Sequence, residues 1–273
     1  MLQRVVVDPA QMQPPTIHLT AEQHHYLTRV LRLKVGDRFI VMDGQGHSWL
    51  AQLEAQPEAK PEPYPATILE AILAQTELPI AITLVIALPK GNAFDDVVRQ
   101  ATELGVSQIL PVISDRTLLN PSPQKLDRWR RIAQEAAEQS ERQIVPALLD
   151  PIPFANHLQQ ISHRSHCDRY YLCTPRHSAP HLLAQIRSPF PIPQPPSPNS
   201  PSSIPSISLA IGPEGGWTDA EIEQAIAAGY QLASLGDRIL RTVTAPIVAL
   251  ALVAAASESE TAYLELPCTL LEL

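Results

Sequence analysis

From Ile80 onward the chain alternates apolar runs of strand length with segments of helical periodicity. Residues 80–88 read IAITLVIAL, a continuous apolar run typical of a strand buried on both faces. Apolar residues then recur at helical spacing from Phe94 to Leu104, and Gly105 stands where a helix C-terminus favours glycine. A strand without a polar face belongs in a sheet that is covered on both sides. This alternation therefore predicts an α/β domain with a mostly parallel sheet.

The same alternation continues towards the C-terminus. We predict further strands over 109–113, 169–173, 207–211 and 232–235, and further helices over 122–141, 182–186, 218–228 and 244–257. One segment, 188–206, breaks the pattern with eight prolines and six serines. Such a composition cannot build a helix or a sheet, so we predict an extended surface insertion there.

The first 75 residues are predicted to form a small barrel-like β domain. Arg38–Met42 and His47–Leu53 flank the turn sequence DGQG, which predicts a hairpin. Further strands are predicted over 4–7 and 67–73, and a loop over 57–65. Residues 20–30 are predicted to be helical, with Thr20 and Gln23 forming a capping box. The predicted domains are therefore 1–75 and 76–273.

Charge and composition exclude several classes of protein. The formal net charge is −8, which does not suit a protein that wraps nucleic acid on a uniformly basic surface. The three cysteines lack the spacing of a zinc site or a disulfide framework and fit a reducing cytoplasm. The longest apolar stretch, 245–256, is shorter than the roughly 20 residues that a membrane span needs. We expect a cytoplasmic protein with no metal and no membrane segment.

Five of the ten glycines lie between Gly212 and Gly236. The sequence IGPEGGWT ends a predicted strand and begins a helix, which is where open α/β sheets bind ligands. Thr218 is the predicted N-cap of that helix, and Glu221 completes a capping box. Neither G-x-G-x-x-G nor G-x-x-x-x-G-K-[ST] is present, and Glu214 would repel a phosphate. A cationic or neutral ligand is therefore favoured. A second glycine turn follows the next strand, over 236–242. Spacing alone also fits ordinary strand-to-helix turns in which glycine only permits close packing.

Several long motifs resemble the RsmE-type SPOUT methyltransferases. They are HHYLTRVLRLKVGDRFIVMDGQG (24–46), LPKGNAFDDVVRQATELGVSQILPVIS (88–114), RWRRIAQEAAEQSERQIVP (128–146), IGPEGGWTDAEI (211–222) and LGDRILRTVTAP (235–246). The resemblance implies a trefoil-knotted SPOUT methyltransferase domain preceded by a PUA-like β-barrel that binds RNA. It also implies a homodimer that uses S-adenosylmethionine to methylate N3 of a uridine in 16S ribosomal RNA of the small ribosomal subunit.

The resemblance carries a cofactor pocket and two candidate catalytic residues onto this sequence. The implied cofactor-binding residues are Leu172, Thr174, Ile211, Gly212, Pro213, Glu214, Gly216, Leu235, Gly236, Ile239, Leu240 and Thr242. Arg238 and Arg241 are candidates to stabilise the negative charge that develops on uracil when N3 loses its proton. Two other roles of these arginines are equally open, contact with RNA phosphates and salt bridges within a dimer. The chain departs from the family at Val243, where glutamate is usual, and at Asn92, where aspartate is usual.

The densest basic cluster of the N-terminal domain consists of Arg29, Arg32, Lys34 and Arg38. We expect these residues to contact RNA phosphates, and a solvated helix face is the alternative. A second cluster, Arg128, Arg130, Arg131 and Arg142, is open to the same two interpretations. Two other functions stay open at this point, a non-catalytic RNA-binding or assembly protein and a SPOUT methyltransferase that acts on transfer RNA.

Overall fold

The structure is a computed structural model that describes residues 2–55, 64–73, 76–117, 121–161, 169–175, 179–187 and 204–264. Residues 57–63 of the predicted loop and 188–203 of the predicted insertion lie outside the described residues. The chain divides into two compact units. One consists of the residues up to Glu77 together with Gln134–Val145, and the other of Leu78–Ala133 together with the residues from Pro146 onward.

The N-terminal unit is built on a mixed sheet with the strand order β1-β4-β5-β6-β3-β2. Its strands are β1 (Arg4–Val6), β2 (Met12–Gln13), β3 (Thr16–Leu19), β4 (Arg38–Met42), β5 (Ser48–Leu53) and β6 (Tyr64–Ile72). Helix α1 (Ala21–His25) continues into a π-helical turn (Tyr26–Val30). Strands β1 and β4 run parallel, and the other pairs are antiparallel. The core is apolar and includes Ile17, Leu27 and Phe39.

Local signals in this unit are confirmed. The Asp43 carboxylate accepts hydrogen bonds from the backbone N–H groups of Gln45 (2.8 Å) and His47 (3.0 Å), which closes the predicted hairpin. Thr20 and Gln23 form the predicted capping box, each side chain accepting from the backbone N–H of the other. Strand β6 begins at Tyr64, so residues 64 and 65 belong to a strand rather than to the predicted loop.

The second unit contains a parallel sheet with the strand order β10-β8-β7-β12-β11-β13, with β9 also paired to β8. Its strands are β7 (Ala81–Ala87), β8 (Gln108–Ile113), β9 (Ala147–Leu148), β10 (Ile152–Pro153), β11 (Arg169–Cys173), β12 (Ser206–Ile211) and β13 (Gln231–Ala233). The helices that begin in it are α2 (Ala93–Glu103), α3 (Pro123–Gln139), α4 (Phe154–Ile161), α5 (Leu182–Ile186), α6 (Asp219–Ala227) and α7 (Thr244–Leu264). The α/β prediction with a mostly parallel sheet is confirmed.

The register of the sheet brings three strand ends together. Ile211 at the end of β12 pairs with Cys173 at the end of β11, and Cys173 in turn pairs with Ala233 at the end of β13. The loops that follow these strands therefore leave from one edge of the sheet. Because ligands of parallel sheets bind beyond the carboxyl ends of the strands, this edge is where a site is expected.

Several boundaries differ from the sequence prediction. Helix α3 ends at Gln139 rather than at residue 141, and Glu141 takes a left-handed backbone with φ of 64°. Ser206, predicted to end the insertion, begins β12. Helix α4 was not predicted, because eight residues give little periodicity to detect. Within the described ranges, no helix is long and apolar enough to cross a membrane.

Candidate active site

A cavity of about 700 Å³ opens where β11, β12 and β13 end. All of the sequence-predicted cofactor residues except Leu172 line it, namely Thr174, Ile211, Gly212, Pro213, Glu214, Gly216, Leu235, Gly236, Ile239, Leu240 and Thr242. Leu172 instead lies fully buried in the core beside Val85 and Ala210. Side chains alternate between the two faces of a strand, and the neighbouring Cys173 reaches the cavity in its place.

The two glycines at the ends of the first turn have different structural roles. A Cβ atom at Gly212 would lie 3.1 Å from Nε1 of Trp217, so the missing side chain makes room for the indole ring. Trp217 is buried and stacks on Phe154 with ring centroids 4.4 Å apart. Gly216 has a φ of 70°, a left-handed conformation that L side chains rarely adopt. Close packing thus accounts for Gly212, and backbone conformation accounts for Gly216.

Two residues from neighbouring loops fasten this turn. Arg116, which follows β8, donates from Nη1 to the carbonyl oxygens of Gly215 (2.5 Å) and Trp217 (3.4 Å). The backbone N–H of Lys90, which follows β7, donates to Oε1 of Glu214 at 3.0 Å. Arg116 was not among the predicted site residues, and its position just beyond a predicted strand is the one signal in the sequence that points to it.

The start of α6 is fixed by a second set of hydrogen bonds. Thr218 and Glu221 form the predicted capping box, with the Thr218 N–H donating to Glu221 at 2.8 Å. The other oxygen of Glu221 accepts the backbone N–H of Asp115 at 2.9 Å, and Glu221 is buried. The loop after β8 and the first turn of α6 therefore hold each other in place on one side of the cavity.

The second glycine turn also lines the cavity, and it exposes charged and apolar side chains to solvent. The Gly236 N–H donates to Oγ of Ser234 at 3.1 Å, and the helix that follows begins with the N–H of Thr244 donating to the carbonyl of Arg241 at 2.9 Å. Ile239 is 80% exposed, and Arg238 and Arg241 are exposed beside it. Both candidate catalytic arginines thus line the cavity at its open side.

The titratable groups of the cavity restrict its chemistry. Burial raises the pKa of the Cys173 thiol to about 12, so this sulfur is protonated and poorly reactive at neutral pH. Glu214 and Asp219 are the carboxylates among the described lining residues, and Val243 also lines the cavity. Within the described part of the chain, no group of three or more histidine, cysteine, aspartate or glutamate side chains is arranged to hold a metal ion.

The two predicted basic clusters differ in their surroundings. Arg29, Arg32, Lys34 and Arg38 are all exposed, and none of them forms an ion pair with another described residue. Arg32 takes a left-handed backbone with φ of 61°, although it is not glycine.

In the second cluster, three of the four arginines form ion pairs with described residues. Arg128 pairs with Asp95 at 2.8 Å, and Arg130 pairs with Asp150 at 2.7 Å. Arg142 is buried and pairs with Glu77 at 2.6 Å, so the interpretation of Arg142 as an RNA contact is wrong.

Comparisons with known proteins agree with this geometry. A sequence model described as an RNA methyltransferase domain matches residues 76–254, and one described as an RNA methyltransferase PUA domain matches residues 19–58. Ribosomal RNA small subunit methyltransferase E of Synechocystis sp. is 46% identical over 95% of this chain and 79% of that protein. The protein of the same name from Bacillus subtilis is 30% identical over 94% of this chain and 98% of that protein.

A solved structure is similar over nearly the whole chain. It is the ribosomal RNA small subunit methyltransferase E of Neisseria gonorrhoeae, crystallised with S-adenosyl methionine. It is 28% identical to this chain, with a TM-score of 0.75, and the match covers 96% of this chain and 98% of that one. The likeness in fold therefore extends over the β-rich unit as well as the parallel-sheet unit.

Proposed function

The chain belongs to the RNA methyltransferase family that contains ribosomal RNA small subunit methyltransferase E, and from this premise we propose that it methylates N3 of a uridine in 16S ribosomal RNA with S-adenosylmethionine. The observation that carries the proposal is the cavity beyond β11, β12 and β13, lined by both glycine turns through which the chain resembles the family. The same likeness supports a homodimer, and a ribosomal substrate supports a cytoplasmic location.

The cavity fits this cofactor in size and chemistry. Its volume of about 700 Å³ lies within the ~300–1,000 Å³ of small-molecule sites. Ile211, Leu235 and Leu240 supply apolar surface, and the backbone of the two turns supplies hydrogen-bonding groups. The Nε1–H of Trp217, buried at the wall, has no hydrogen-bond partner among the described residues. When bound, the cofactor supplies a methyl group on a cationic sulfonium, with which the acidic Glu214 is compatible.

Alignment is the main task left to the protein when the donor is already activated. The turn from Gly212 to Gly216 accepts hydrogen bonds from Arg116 and from the N–H of Lys90, and these contacts favour one conformation of that wall before any ligand enters. A wall already in the binding conformation directs the donor at a lower ordering cost.

Arg238 and Arg241 are proposed to act on the uracil ring. Loss of the N3 proton spreads negative charge over O2 and O4, and a guanidinium close to either oxygen stabilises that charge. Both arginines lie at the open side of the cavity, where the base must enter. Cys173 is unsuited to take the proton because its pKa of about 12 keeps the thiol protonated. Water at the open side can take it instead.

The test is mass spectrometry of 16S ribosomal RNA from cells with and without the gene, followed by methylation of the unmodified small subunits with the purified protein. We expect one N3-methyluridine to disappear in the deletion strain and to return in the reaction. An unchanged 16S pattern together with a methylation lost from transfer RNA would support the transfer RNA alternative. Unchanged RNA in both classes, with no measurable binding of S-adenosylmethionine, would indicate a non-catalytic assembly protein.

A further inference from the structure

A second hollow, of about 710 Å³, lies within the N-terminal unit, on the surface formed by α1, the π-helical turn and the start of β6. The polar and aromatic side chains that line it are Glu22, His24, His25, Thr28, Arg29 and Tyr64. It combines one flat aromatic pair, a second imidazole, one guanidinium and one carboxylate within a volume suited to a small ligand.

The aromatic pair is a stacked platform. The rings of His24 and Tyr64 are nearly parallel, with centroids 3.9 Å apart and 7° between the planes. Burial, followed by the nearby charges of Arg29 and His25, lowers the pKa of His24 below its ordinary value of 6.5. The imidazole is therefore mainly neutral at pH 7, and the pair contributes uncharged aromatic surface to the lining of the hollow.

The helix geometry brings the guanidinium to the same hollow. The helix widens into a π turn in which the Leu31 N–H donates to the carbonyl of Tyr26 at 2.9 Å, five positions earlier. π turns recur at functional sites because they redirect side chains at some cost in stability. The Thr28 hydroxyl donates to the His24 carbonyl at 2.7 Å, so its hydrogen is not available to bond a ligand. Arg29 is exposed and forms no ion pair with a described residue.

We propose that this hollow binds one unpaired nucleotide of the RNA substrate, with the base stacked on the His24–Tyr64 pair and a phosphate bound by Arg29. Single-stranded RNA is recognised by stacking unpaired bases on aromatic side chains and by bonding their edges. The Glu22 carboxylate accepts a hydrogen bond from an N–H group on the edge of that base. An acidic peptide would bind Arg29 but would not stack on the His24–Tyr64 pair. The inference rests on the proposed function for its choice of RNA as the ligand.

The experiment measures binding of decauridine RNA by fluorescence anisotropy across a salt series. Tyr64→Leu removes the ring and Tyr64→Phe retains it, and His24→Ala breaks the same platform from the helix side. We expect Tyr64→Leu and His24→Ala each to weaken binding by about 5- to 100-fold, and Tyr64→Phe to bind like the unaltered chain. Arg29→Gln should reduce the salt slope by about 0.7, and Arg99→Gln in the other unit is the matched control.

A second probe separates base stacking from charge. An abasic ribose-phosphate chain of the same length keeps the phosphates and loses the bases, so Tyr64→Leu should not change its affinity. Affinities for decauridine within twofold of the unaltered chain for both Tyr64→Leu and His24→Ala would overturn the proposal. Equal losses for the two RNA probes, or equally tight binding of decaglutamate, would also overturn it, because the hollow would then be a general anion surface. Binding is measured without methyl transfer, so absent methylation of small subunits would count against the proposed function alone.

Discussion

Replacing Gly216 by alanine would test whether the backbone of the first glycine turn takes part in cofactor binding. Gly216 has a φ of 70°, and a Cβ atom there would meet no atom within 4 Å. The substitution therefore adds no clash and only strains the left-handed backbone, at a cost of about 1–2 kcal/mol. In the free variant the turn can relieve that strain by changing conformation. Cofactor binding must then restore the strained conformation. We expect the cofactor dissociation constant to rise by about 5- to 30-fold.

Gly229 provides the matched control. It has a φ of 105° and an equally open surrounding, but it follows the C-terminal end of α6 and does not line the cavity. Gly229→Ala should lower the free energy of unfolding by a similar amount, about 1–2 kcal/mol, without changing cofactor affinity. The assay is titration calorimetry with S-adenosylmethionine, alongside urea unfolding. Unchanged affinity in Gly216→Ala, or an equal loss in Gly229→Ala, would refute the reasoning, because the turn would then act only through overall stability.

The remaining predictions concern charge, pH and assembly. Arg32→Gly removes an exposed cation from a left-handed position that glycine accepts, so we expect weaker RNA binding in a filter assay with the melting temperature unchanged or raised. Burial raises the pKa of Glu138 above its ordinary value of 4.5. The free energy of unfolding should therefore fall as the pH rises from about 4.5 through that raised pKa. Urea unfolding at pH 4 and pH 7 measures this decrease, and Glu138→Gln should remove it. Arg241→Gln should lower the methylation rate constant by roughly 100-fold while calorimetry finds the same cofactor affinity, and equal rates would exclude the proposed role. Ala251 is exposed on the apolar helix α7, and Ala251→Asp should shift a dimer towards monomer in sedimentation, whereas a monomeric and active unaltered chain would contradict the dimer.

Features encoded by neighbouring residues were predictable from the sequence. The capping boxes at Thr20 and Thr218 and the hairpin turn at Asp43 each depend on residues at most four positions apart, and all three are confirmed. The α/β class followed from buried apolar runs, and the SPOUT methyltransferase fold, implied by the resemblance, is confirmed by the similar solved structure. The resemblance also predicted which residues line the cavity. The exception is Leu172, whose side chain extends from strand β11 into the core.

Features that depend on distant residues were not predictable. Arg142 was interpreted as a possible RNA contact, but a buried arginine needs a partner, and its partner Glu77 precedes it by a long stretch of chain. The same holds for Arg116, whose role comes from carbonyl groups on a turn that forms much later in the sequence. The short strands β2, β9 and β10 have two residues each, too few to show any alternation.

The order of strands in the parallel sheet has a consequence for synthesis of the protein. Strand β12 lies between β7 and β11, with Ser206 paired to Ala81, so the centre of the sheet closes only when distant parts of the chain meet. Until β12 leaves the ribosome, β7 has an open apolar edge of the kind that templates aggregation. Pairings of such sequence separation also form slowly. A nascent chain is therefore exposed to misassembly from the emergence of β7 until β12 follows it, and chaperone demand should be greatest in that interval.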